Sequence, residues 1–366
     1  MNIILAMHMA NELLSVPAAS IFGVIALVAV MLAVARAKAN IDTQRLSLMG
    51  VMGAFVFAAQ MINFALPGLG TSGHLGGGVL LAILLGPSAA IVTMAGILII
   101  QCLLFQDGGL LALGCNIINI GVVPALLGWA VYRVLRGPHL GKARHYLAVY
   151  LACLVGVTAG AALVPFETAV SGVLQVPFSD FLAVMVGVHV LIAAVEGLIT
   201  FAVVAYLMRT RPQALGLQTA PNLADSGKVG SKILACTILA TALLLAGVVS
   251  WFASASPDGL EWTISRYTGQ EARMQDACAT SDSGTATAVT RWQQKWAPLA
   301  DYSRRQAPLG QVPAKDQADL PIHDSAAWPY VNGWTSLAGL FGTLITLVLI
   351  YFVARIIARK TAAGRC

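Results

Sequence analysis

Charged residues are scarce in this sequence. Asp, Glu, Lys and Arg together make up 10% of its 366 residues, whereas soluble domains are about 25% charged. Hydrophobic residues make up 58%, which excludes an ordinary soluble domain and a disordered chain. Cysteine is also rare, with 6 residues and no CxxC or comparable cluster, so neither a disulfide framework nor a thiolate metal site is expected. The composition is that of a membrane protein.

Catalytic and nucleotide-binding motifs are lacking as well. The sequence contains no HExxH, GxSxG or paired-carboxylate motif. Its nearest approach to a P-loop, Gly137 to Lys142, is one residue too short and continues with Ala143 instead of Ser or Thr. We therefore expect no enzyme activity. If the chain takes part in active transport, a separate protein must hydrolyse ATP.

Apolar stretches of membrane-spanning length follow one another along the chain. A helix needs about 20 apolar residues to cross the hydrocarbon, and the sequence predicts nine crossings. They lie at residues 16–35, 46–66, 75–86, 87–105, 110–132, 146–165, 181–208, 232–252 and 334–357. The third is short and carries three consecutive glycines, so we expect it to need a surrounding bundle. The predicted fold is an all-α polytopic membrane protein.

The basic residues test this count, because cytoplasmic loops carry an excess of Lys and Arg. With nine crossings, 15 of the 22 basic residues fall on one face, together with only Asp42 and Asp225 of the 16 acidic residues. We therefore expect the N-terminus outside and the C-terminus in the cytoplasm. The net charge of +6 reflects this topology, and it is not a nucleic-acid-binding signal.

Composition also divides the chain into two units. Residues 1–211 carry seven predicted helices, and residues 212–231 form a polar linker that contains Pro, Gly and Ser. Residues 232–366 carry two helices around a long extracytoplasmic loop, residues 253–333. Six tryptophans lie in or beside this loop, so we expect a small folded appendage there.

Two histidines that are distant in sequence fall on the outer face in this topology. His8 follows Met7, and His74 precedes the short third helix. An N-terminal amine, the amide nitrogen of a histidine at position two and its imidazole close adjacent chelate rings in one plane. A fourth nitrogen then completes a square that favours Ni(II) or Cu(II) over Zn(II).

Two interpretations of these residues stay open. A chain starting at Met7 would put His8 at position two, but the sequence as written begins six residues earlier, and those residues lack the basic region of a signal peptide. If Met7 is not the mature N-terminus, the amine ligand is lost. Alternatively, Met7-His8 is a coincidence near a terminus and His74 caps a helix, since isolated histidines often have structural roles.

Further polar residues in or beside the spans are candidates for orienting the imidazoles or for packing. His189 and Glu196 are seven residues apart and share a helix face, and an intramembrane carboxylate is a functional candidate. Glu196 would either contact the metal or hydrogen-bond a neighbouring segment. Asn116 and Asn119 share another face, and Ser72 lies two residues before the second histidine. Interhelical hydrogen bonds would explain most such residues, and support of metal-bound imidazoles is the alternative.

Five sequence features occur in order over residues 7 to about 211: the outside Met-His, "SGHL", "LGPSAA", "GCNIINIGVVPALL" and "HVLIAAVEGLIT". Together they resemble the NikM/CbiM family, the substrate-binding components of energy-coupling-factor importers for nickel and cobalt. The segment "PDGLEWT", Pro257–Thr263, is similar to the PDGLE-type small subunit that accompanies this family. Here it would be fused as a two-helix unit with residues 253–333 as its loop.

The resemblance implies a function and a set of partners. The chain would bind and import Ni(II), or alternatively Co(II), with Met7, His8 and His74 as metal ligands. A bundle of six core helices with an extra N-terminal segment in its centre would hold the site. A coupling membrane protein and ABC ATPase subunits would be separate chains in the bacterial cytoplasmic (inner) membrane. The alternative from another class is a membrane-anchored assembly or sensor protein whose outside loop binds a protein partner.

Overall fold

The computed structural model describes residues 8–40, 43–136, 142–174, 176–210, 227–268, 283–302 and 328–362. These residues are mostly helical. The helices are α1 (Val16–Asn40), α2 (Thr43–Gln60), α3 (Gly78–Leu85), α4 (Pro87–Phe105), α5 (Leu113–Arg136), α6 (Lys142–Ser171), α7 (Phe178–Thr210), α8 (Gly227–Gly247), α9 (Gly259–Thr268), α10 (Ser283–Trp296) and α11 (Gly333–Ala362). Short 3₁₀ turns lie at Asn11–Leu13, Val249–Phe252 and Ala300–Tyr302.

Six of the described helices are long and apolar enough to cross a membrane: α1, α4, α5, α6, α7 and α11. Two shorter apolar helices, Leu48–Gln60 within α2 and Lys232–Gly247 within α8, accompany them. The predicted class, a helical multi-pass membrane protein, is therefore confirmed. Each of the nine predicted segments corresponds to a helix, while nine full crossings stay a prediction. The linker assigned to residues 212–231 lies largely outside the described residues.

Helix α3 is too short to span a bilayer. Its eight residues are all buried and extend about 12 Å, less than half of a hydrocarbon core of about 30 Å. Gly77 precedes it with a φ of +79° and Gly86 ends it with a φ of +83°, conformations that glycine adopts without steric cost. Pro87 then starts α4 in the first turn, where its missing N–H costs nothing. The short helix α3 is therefore enclosed by the bundle.

Helix α6 continues six residues beyond the predicted end at residue 165. The prediction ended there because Pro165 and Glu167 interrupt the apolar run. In the structure, the hydroxyl of Thr168 donates hydrogen bonds to the carbonyls of Val164 (3.0 Å) and Pro165 (3.1 Å). Glu167 is buried and accepts a hydrogen bond of 2.7 Å from Asn119 of α5. The Thr168 hydroxyl and one carboxylate oxygen of Glu167 are therefore hydrogen-bonded inside the bundle, which lets the helix continue past Pro165.

The C-terminal helices pack directly on the N-terminal bundle. Helix α11 lies against α2, and α8 packs on both. Glycines allow close approach: a Cβ atom at Gly50 would lie 3.1 Å from the carbonyl oxygen of Leu347, and one at Gly342 would collide with the ring of Phe57. The residues appended after the linker therefore share the hydrophobic core of α2 and α4.

A similar close approach joins α5 and α6 beside the site. A Cβ atom at Gly160 of α6 would collide with the carbonyl oxygen of Asn119 in α5. We expect Gly160→Ala to destabilise the protein by about 1–3 kcal/mol, the cost of overpacking a filled core. Thermal unfolding in detergent measures this, with Gly187→Ala as the control because a Cβ atom there meets no atom within 4 Å. Equal melting temperatures for the two variants would contradict this packing.

A small antiparallel hairpin, β1 (Phe64–Leu66) and β2 (Thr71–Gly73), follows α2. The appended unit contacts this hairpin through the segment before α9. The backbone N–H of Ser72 donates to the carbonyl of Pro257 (2.8 Å), and Ser254 donates to the carbonyl of Asn63 (2.7 Å). The start of α9 is thereby held beside the loop that leads into α3.

Candidate metal centre

A cavity of about 100 Å³ lies where the N-terminal segment, the loop after β2, α7 and the start of α9 meet. Its wall contains seven polar or charged side chains: His8, His74, Asn116, Asn119, His189, Glu196 and Asp258. The first six are candidates from the sequence, and Asp258 is not. Met7, the remaining predicted ligand, lies outside the described residues.

His74 lies in the loop between β2 and α3, and Glu196 of α7 holds this loop. Both carboxylate oxygens of Glu196 accept backbone hydrogen bonds, from Gly76 at 2.7 Å and from Gly77 at 3.0 Å. The Glu196 side chain is fully buried. A Cβ atom at Gly76 would lie only 3.0 Å from the carboxylate, so glycine permits this close contact. The carboxylate therefore fixes the main chain that carries His74.

The imidazoles of His8 and His74 lie side by side, with ring centroids 5.4 Å apart. His8 is 3% exposed, and its Nδ1 atom lies 2.8 Å from Oδ1 of Asp107. Its Nε2 atom is buried and has no hydrogen-bond partner among the described residues. A buried nitrogen normally has a partner, so a nitrogen of this kind is suited to bind a ligand.

Asp107 and His8 form a buried ion pair. Burial alone lowers the pKa of His8, but the charge of Asp107 and the hydrogen bond to it shift the pKa above its usual value. Burial likewise raises the pKa of Asp107, and the charge of His8, with hydrogen bonds from His8 and Tyr302, outweighs it and lowers the pKa. Both shifts favour the charged forms. Burial and the neighbouring His8 lower the pKa of His74, which favours its neutral form.

Asn116 fixes the main chain next to His8. Its side-chain oxygen accepts a hydrogen bond from the N–H of Met9 (3.0 Å), and its amide donates to the carbonyl of Met9 (3.2 Å). Asn119, one turn further along, donates to Glu167 and lies 3.6 Å from the sulfur of Met9. Ile117–Val122, which contains Asn119, is π-helical, and such stretches often mark functional positions. Both asparagines thus support the N-terminal segment.

Ser72 and Asp258 belong to the contact with the appended unit. The hydroxyl of Ser72 donates to the carbonyl of Ser256 (2.8 Å), which ties the His74 loop to the appended unit. The Asp258 side chain accepts from the N–H of Glu261 (2.8 Å), and Glu261 lies 3.4 Å from the N–H of Asp258. This reciprocal pair is a capping box at the start of α9. The motif "PDGLE" thereby begins a helix and turns a carboxylate towards the cavity.

His189 lines the cavity wall opposite the start of α9. Its Nδ1 atom lies 2.8 Å from the carbonyl of Met185, and a Cβ atom at Gly259 would lie 3.0 Å from its Cε1 atom. The absence of a side chain at Gly259 lets the appended unit reach this wall. His189 therefore lines the same cavity as His74.

The orientation of His8 affects how it could bind a metal. A small chelate ring with its own amide nitrogen requires Nδ1, because Nε2 is too far from the main chain. In this structure Nδ1 bonds Asp107, so a chelate requires that contact to break, whereas binding through Nε2 does not. Within the described ranges, no three His, Cys, Asp or Glu side chains are close enough to hold a metal together. Backbone nitrogens and the Met7 amine are therefore the additional nitrogen ligands that we consider.

Sequence reasoning missed three residues around the site. Asp107 lies in the turn after α4, Asp258 in the "PDGLE" segment, and Tyr302 in the 3₁₀ turn that follows α10. Two signals were available in the sequence. Asp107 follows a long uncharged span, and Asp258 lies within a recognised motif. Nothing in the sequence connects Tyr302 with the N-terminal segment.

The fold and this cavity define a multi-pass membrane protein with a buried two-histidine centre at the junction of two units. Residues 8–214 match the family described as the cobalt uptake substrate-specific transmembrane region, CbiM, and residues 232–359 match the PDGLE domain. The chain belongs to the CbiM family and carries a fused PDGLE domain. This confirms the resemblance seen in the sequence, and it makes the chain a nickel or cobalt transport component.

Individual relatives agree with this assignment. The fused nickel transport protein NikMN of Rhodobacter capsulatus is 32% identical over 295 residues, which cover 75% of this chain and 82% of that protein. A protein of Archaeoglobus fulgidus that also carries the name NikMN is 34% identical over 241 residues, 66% of this chain and 79% of the relative. A crystal structure of a truncated transition-metal transporter superposes with a TM-score of 0.50 at 28% identity, covering 55% of this chain and 98% of that one.

Proposed function

We propose that the chain is the substrate-binding component of an energy-coupling-factor importer, and that it captures Ni(II), with Co(II) as the alternative substrate. One observation carries this proposal. The family-matched segment holds two imidazoles 5.4 Å apart in a buried cavity, and the Nε2 atom of His8 has no hydrogen-bond partner among the residues described. The relatives named for nickel transport support the same substrate.

His8 and His74 are the proposed ligands, together with the amine of Met7 in a chain whose mature terminus is Met7. A nitrogen-only set in one plane suits Ni(II) better than Zn(II), which prefers a tetrahedron. The neutral form favoured for His74 suits coordination, because a metal needs the lone pair of the imidazole, whereas His8, whose charged form is favoured, would have to release a proton when the metal binds. Glu196 and Asn116 would keep the two ligand-bearing segments in place, and His189 and Ser72 would complete the surroundings.

The proposed arrangement in the membrane keeps the units assigned from the sequence. Residues 1–211 form the metal-binding unit, residues 212–231 the cytoplasmic linker, and residues 232–366 the PDGLE-type unit. The N-terminus lies outside and the C-terminus in the cytoplasm of a bacterial inner membrane. ATP hydrolysis in separate ABC subunits, transmitted through a coupling membrane protein, would reorient the metal-binding unit for release.

Uptake of radioactive nickel into proteoliposomes tests this function. The chain is reconstituted with a coupling membrane protein and ABC ATPase subunits of an energy-coupling-factor importer. Uptake is expected to require internal ATP and to fall by more than about tenfold in His74→Ala. His145→Ala is the control, because His145 is a buried histidine that does not line the cavity. ATP-independent uptake, or equal loss in both variants, would contradict the proposal.

Co-purification separates the alternative function. A membrane-anchored assembly or sensor protein would co-purify with neither an ATPase nor a coupling subunit. The exposed Trp292, Trp296 and Trp328 of the appended unit would then serve as its partner-binding surface. Substituting these tryptophans would abolish its activity, whereas His8→Ala and His74→Ala would not.

A further inference from the structure

We infer that Gln60 of α2 positions the loop that carries His74, and that it thereby contributes to the preference of the metal centre for Ni(II) over Zn(II). This inference rests on the proposed function, because it presupposes that His74 binds the metal. Gln60 does not line the cavity. It is a positioning residue, since its side chain acts on His74 through the main chain.

Gln60 is a buried amide at the end of an apolar helix. It is the last residue of α2 and is 0% exposed, and a buried amide is costly unless its donor and its acceptor are both bonded. Its Nε2 atom donates to the carbonyl of Gly76 at 2.9 Å, and its Oε1 atom accepts from Nε2 of Gln101 at 3.0 Å. Both ends of the amide are therefore used, and one of them binds the loop that carries His74.

The peptide group between Gly76 and Gly77 is held at both ends. Its N–H donates to the carboxylate of Glu196 in α7 at 3.0 Å, and its carbonyl accepts from Gln60 in α2. The N–H of the preceding peptide group donates to the same carboxylate at 2.7 Å. Glu196 binds N–H groups of this segment, whereas Gln60 binds a carbonyl, so the two side chains fix its orientation from two different helices.

The imidazole of His74 is tied to this segment. Its Nδ1 atom lies 3.2 Å from the carbonyl of Leu75, and a carbonyl only accepts hydrogen bonds, so Nδ1 carries the proton when His74 is neutral. The lone pair that a metal needs is then on Nε2. The Leu75 carbonyl belongs to the same peptide group as the N–H of Gly76. A rotation of the held segment would therefore move the ring and its Nε2 atom.

Gln101 of α4 fixes which end of the Gln60 amide faces the loop. The Gly76 carbonyl only accepts, so Gln60 must turn its amide nitrogen towards that carbonyl and its oxygen towards Gln101. A reversed amide would place oxygen against oxygen at Gly76 and nitrogen against nitrogen at Gln101. Gln101 is also 0% exposed, and its backbone carbonyl accepts from the N–H of Asp107 at 3.0 Å. The surroundings of Gln60 thus set its orientation.

The placement of His74 matters for the choice of metal. A planar set of four nitrogens suits Ni(II), whereas Zn(II) prefers a tetrahedron. A ligand that is held in the plane favours Ni(II), and a ligand that can leave the plane lets the site adapt to Zn(II). Loosening the loop that carries His74 should therefore cost more affinity for Ni(II) than for Zn(II). A general loss of folded protein would instead reduce both affinities alike.

Metal titrations of the purified full-length chain test this inference. The dissociation constants of Ni(II) and Zn(II) are measured by competition with a chromophoric chelator, and the visible spectrum is recorded with Ni(II) bound. Gln60→Met keeps the length of the side chain and removes both hydrogen bonds. Ni(II) binding should weaken about tenfold and Zn(II) binding less than about threefold, and the Ni(II) absorption band should shift. Gln101→Met removes only the donor that orients Gln60, so it should change the ratio in the same direction by a smaller factor.

Thr93→Val is the matched control. Thr93 is a buried polar residue of α4 whose hydroxyl donates to the carbonyl of Ala89 in its own helix at 2.8 Å, so its removal does not touch the loop. An unchanged ratio of the two dissociation constants in Gln60→Met, or an equal change in Thr93→Val, overturns the inference and leaves the proposed function intact. A wild-type chain that binds no Ni(II) overturns both. If Gln60→Met does not fold, Gln101→Met decides, with its melting temperature as the check on folding.

Discussion

Replacing His74 by alanine is expected to weaken Ni(II) binding by more than about 100-fold. Loss of an outer-shell partner of a ligand costs about 10- to 100-fold in affinity, and loss of a ligand itself should cost more. His8→Ala should have an effect of the same size, because the two ring centroids are only 5.4 Å apart and both rings are proposed ligands. Equilibrium dialysis of the purified, chelator-treated chain measures both.

His189→Ala is the informative comparison for these two variants. His189 lines the same cavity, but its Nδ1 atom lies 2.8 Å from the carbonyl of Met185 in its own helix. We expect it to change the affinity less than either His8→Ala or His74→Ala. If His189→Ala caused the largest loss, the metal would lie deeper in the cavity than the His8–His74 pair, and the ligand assignment would be wrong.

Replacing Glu196 by alanine should produce the largest loss of stability among single changes around the cavity. The variant leaves the N–H groups of Gly76 and Gly77 without the acceptor that now binds them. Each buried unsatisfied group costs about 1–3 kcal/mol, so we expect a loss of about 3–5 kcal/mol in the free energy of unfolding. The loop that carries His74 would also move, and Ni(II) affinity should fall in the variant.

Glu196→Gln separates the lost hydrogen bonds from the lost side chain. Glutamine keeps the shape and one acceptor oxygen, so the destabilisation should be less than half of that in Glu196→Ala. Thermal unfolding in detergent gives the ranking. A Glu196→Ala protein as stable as the wild type would show that the two glycine N–H groups find other partners, and that this carboxylate does not hold the loop.

Much of the fold follows from hydropathy. Spans such as residues 16–35 and 334–357 were predictable because uninterrupted apolar residues admit few other structures. The break at Gly86-Pro87 was predictable because Pro87 cannot donate a backbone hydrogen bond. The end of α6 was not predictable. An acidic residue such as Glu167 normally indicates a position exposed to solvent, and the sequence does not show that Asn119 of α5 is its buried partner.

The site was predictable only in part. His8 and His74 were predicted as metal ligands from the Met-His pattern near the N-terminus and from the resemblance to the NikM/CbiM family. In the structure their ring centroids are 5.4 Å apart. Asp107 and Tyr302 were not predicted, because they are separated by 195 residues and meet only after the appended unit folds onto the end of α4. Residues that act through tertiary contacts of this kind leave no local pattern in a sequence.

The appended unit reaches the candidate site. From the sequence, we expect residues 232–366 to be required for uptake and not for coordination, and this stays a prediction. The structure places Asp258 in the cavity wall and Tyr302 in contact with the partner of His8. The two-helix unit therefore contributes to the walls of the cavity that we propose as the metal centre, as well as to the packing of α2.

X-ray absorption at the nickel edge tests the central claim most directly. The full-length chain is loaded with one equivalent of Ni(II), and its intact mass is recorded to locate the mature N-terminus. The account predicts a nitrogen-dominated first shell with scattering from two imidazole rings, one of which disappears in His74→Ala. A terminus at Met7 would add the amine ligand. A shell of sulfur or of oxygen alone, or a spectrum unchanged in His74→Ala, would contradict a metal centre at His8 and His74.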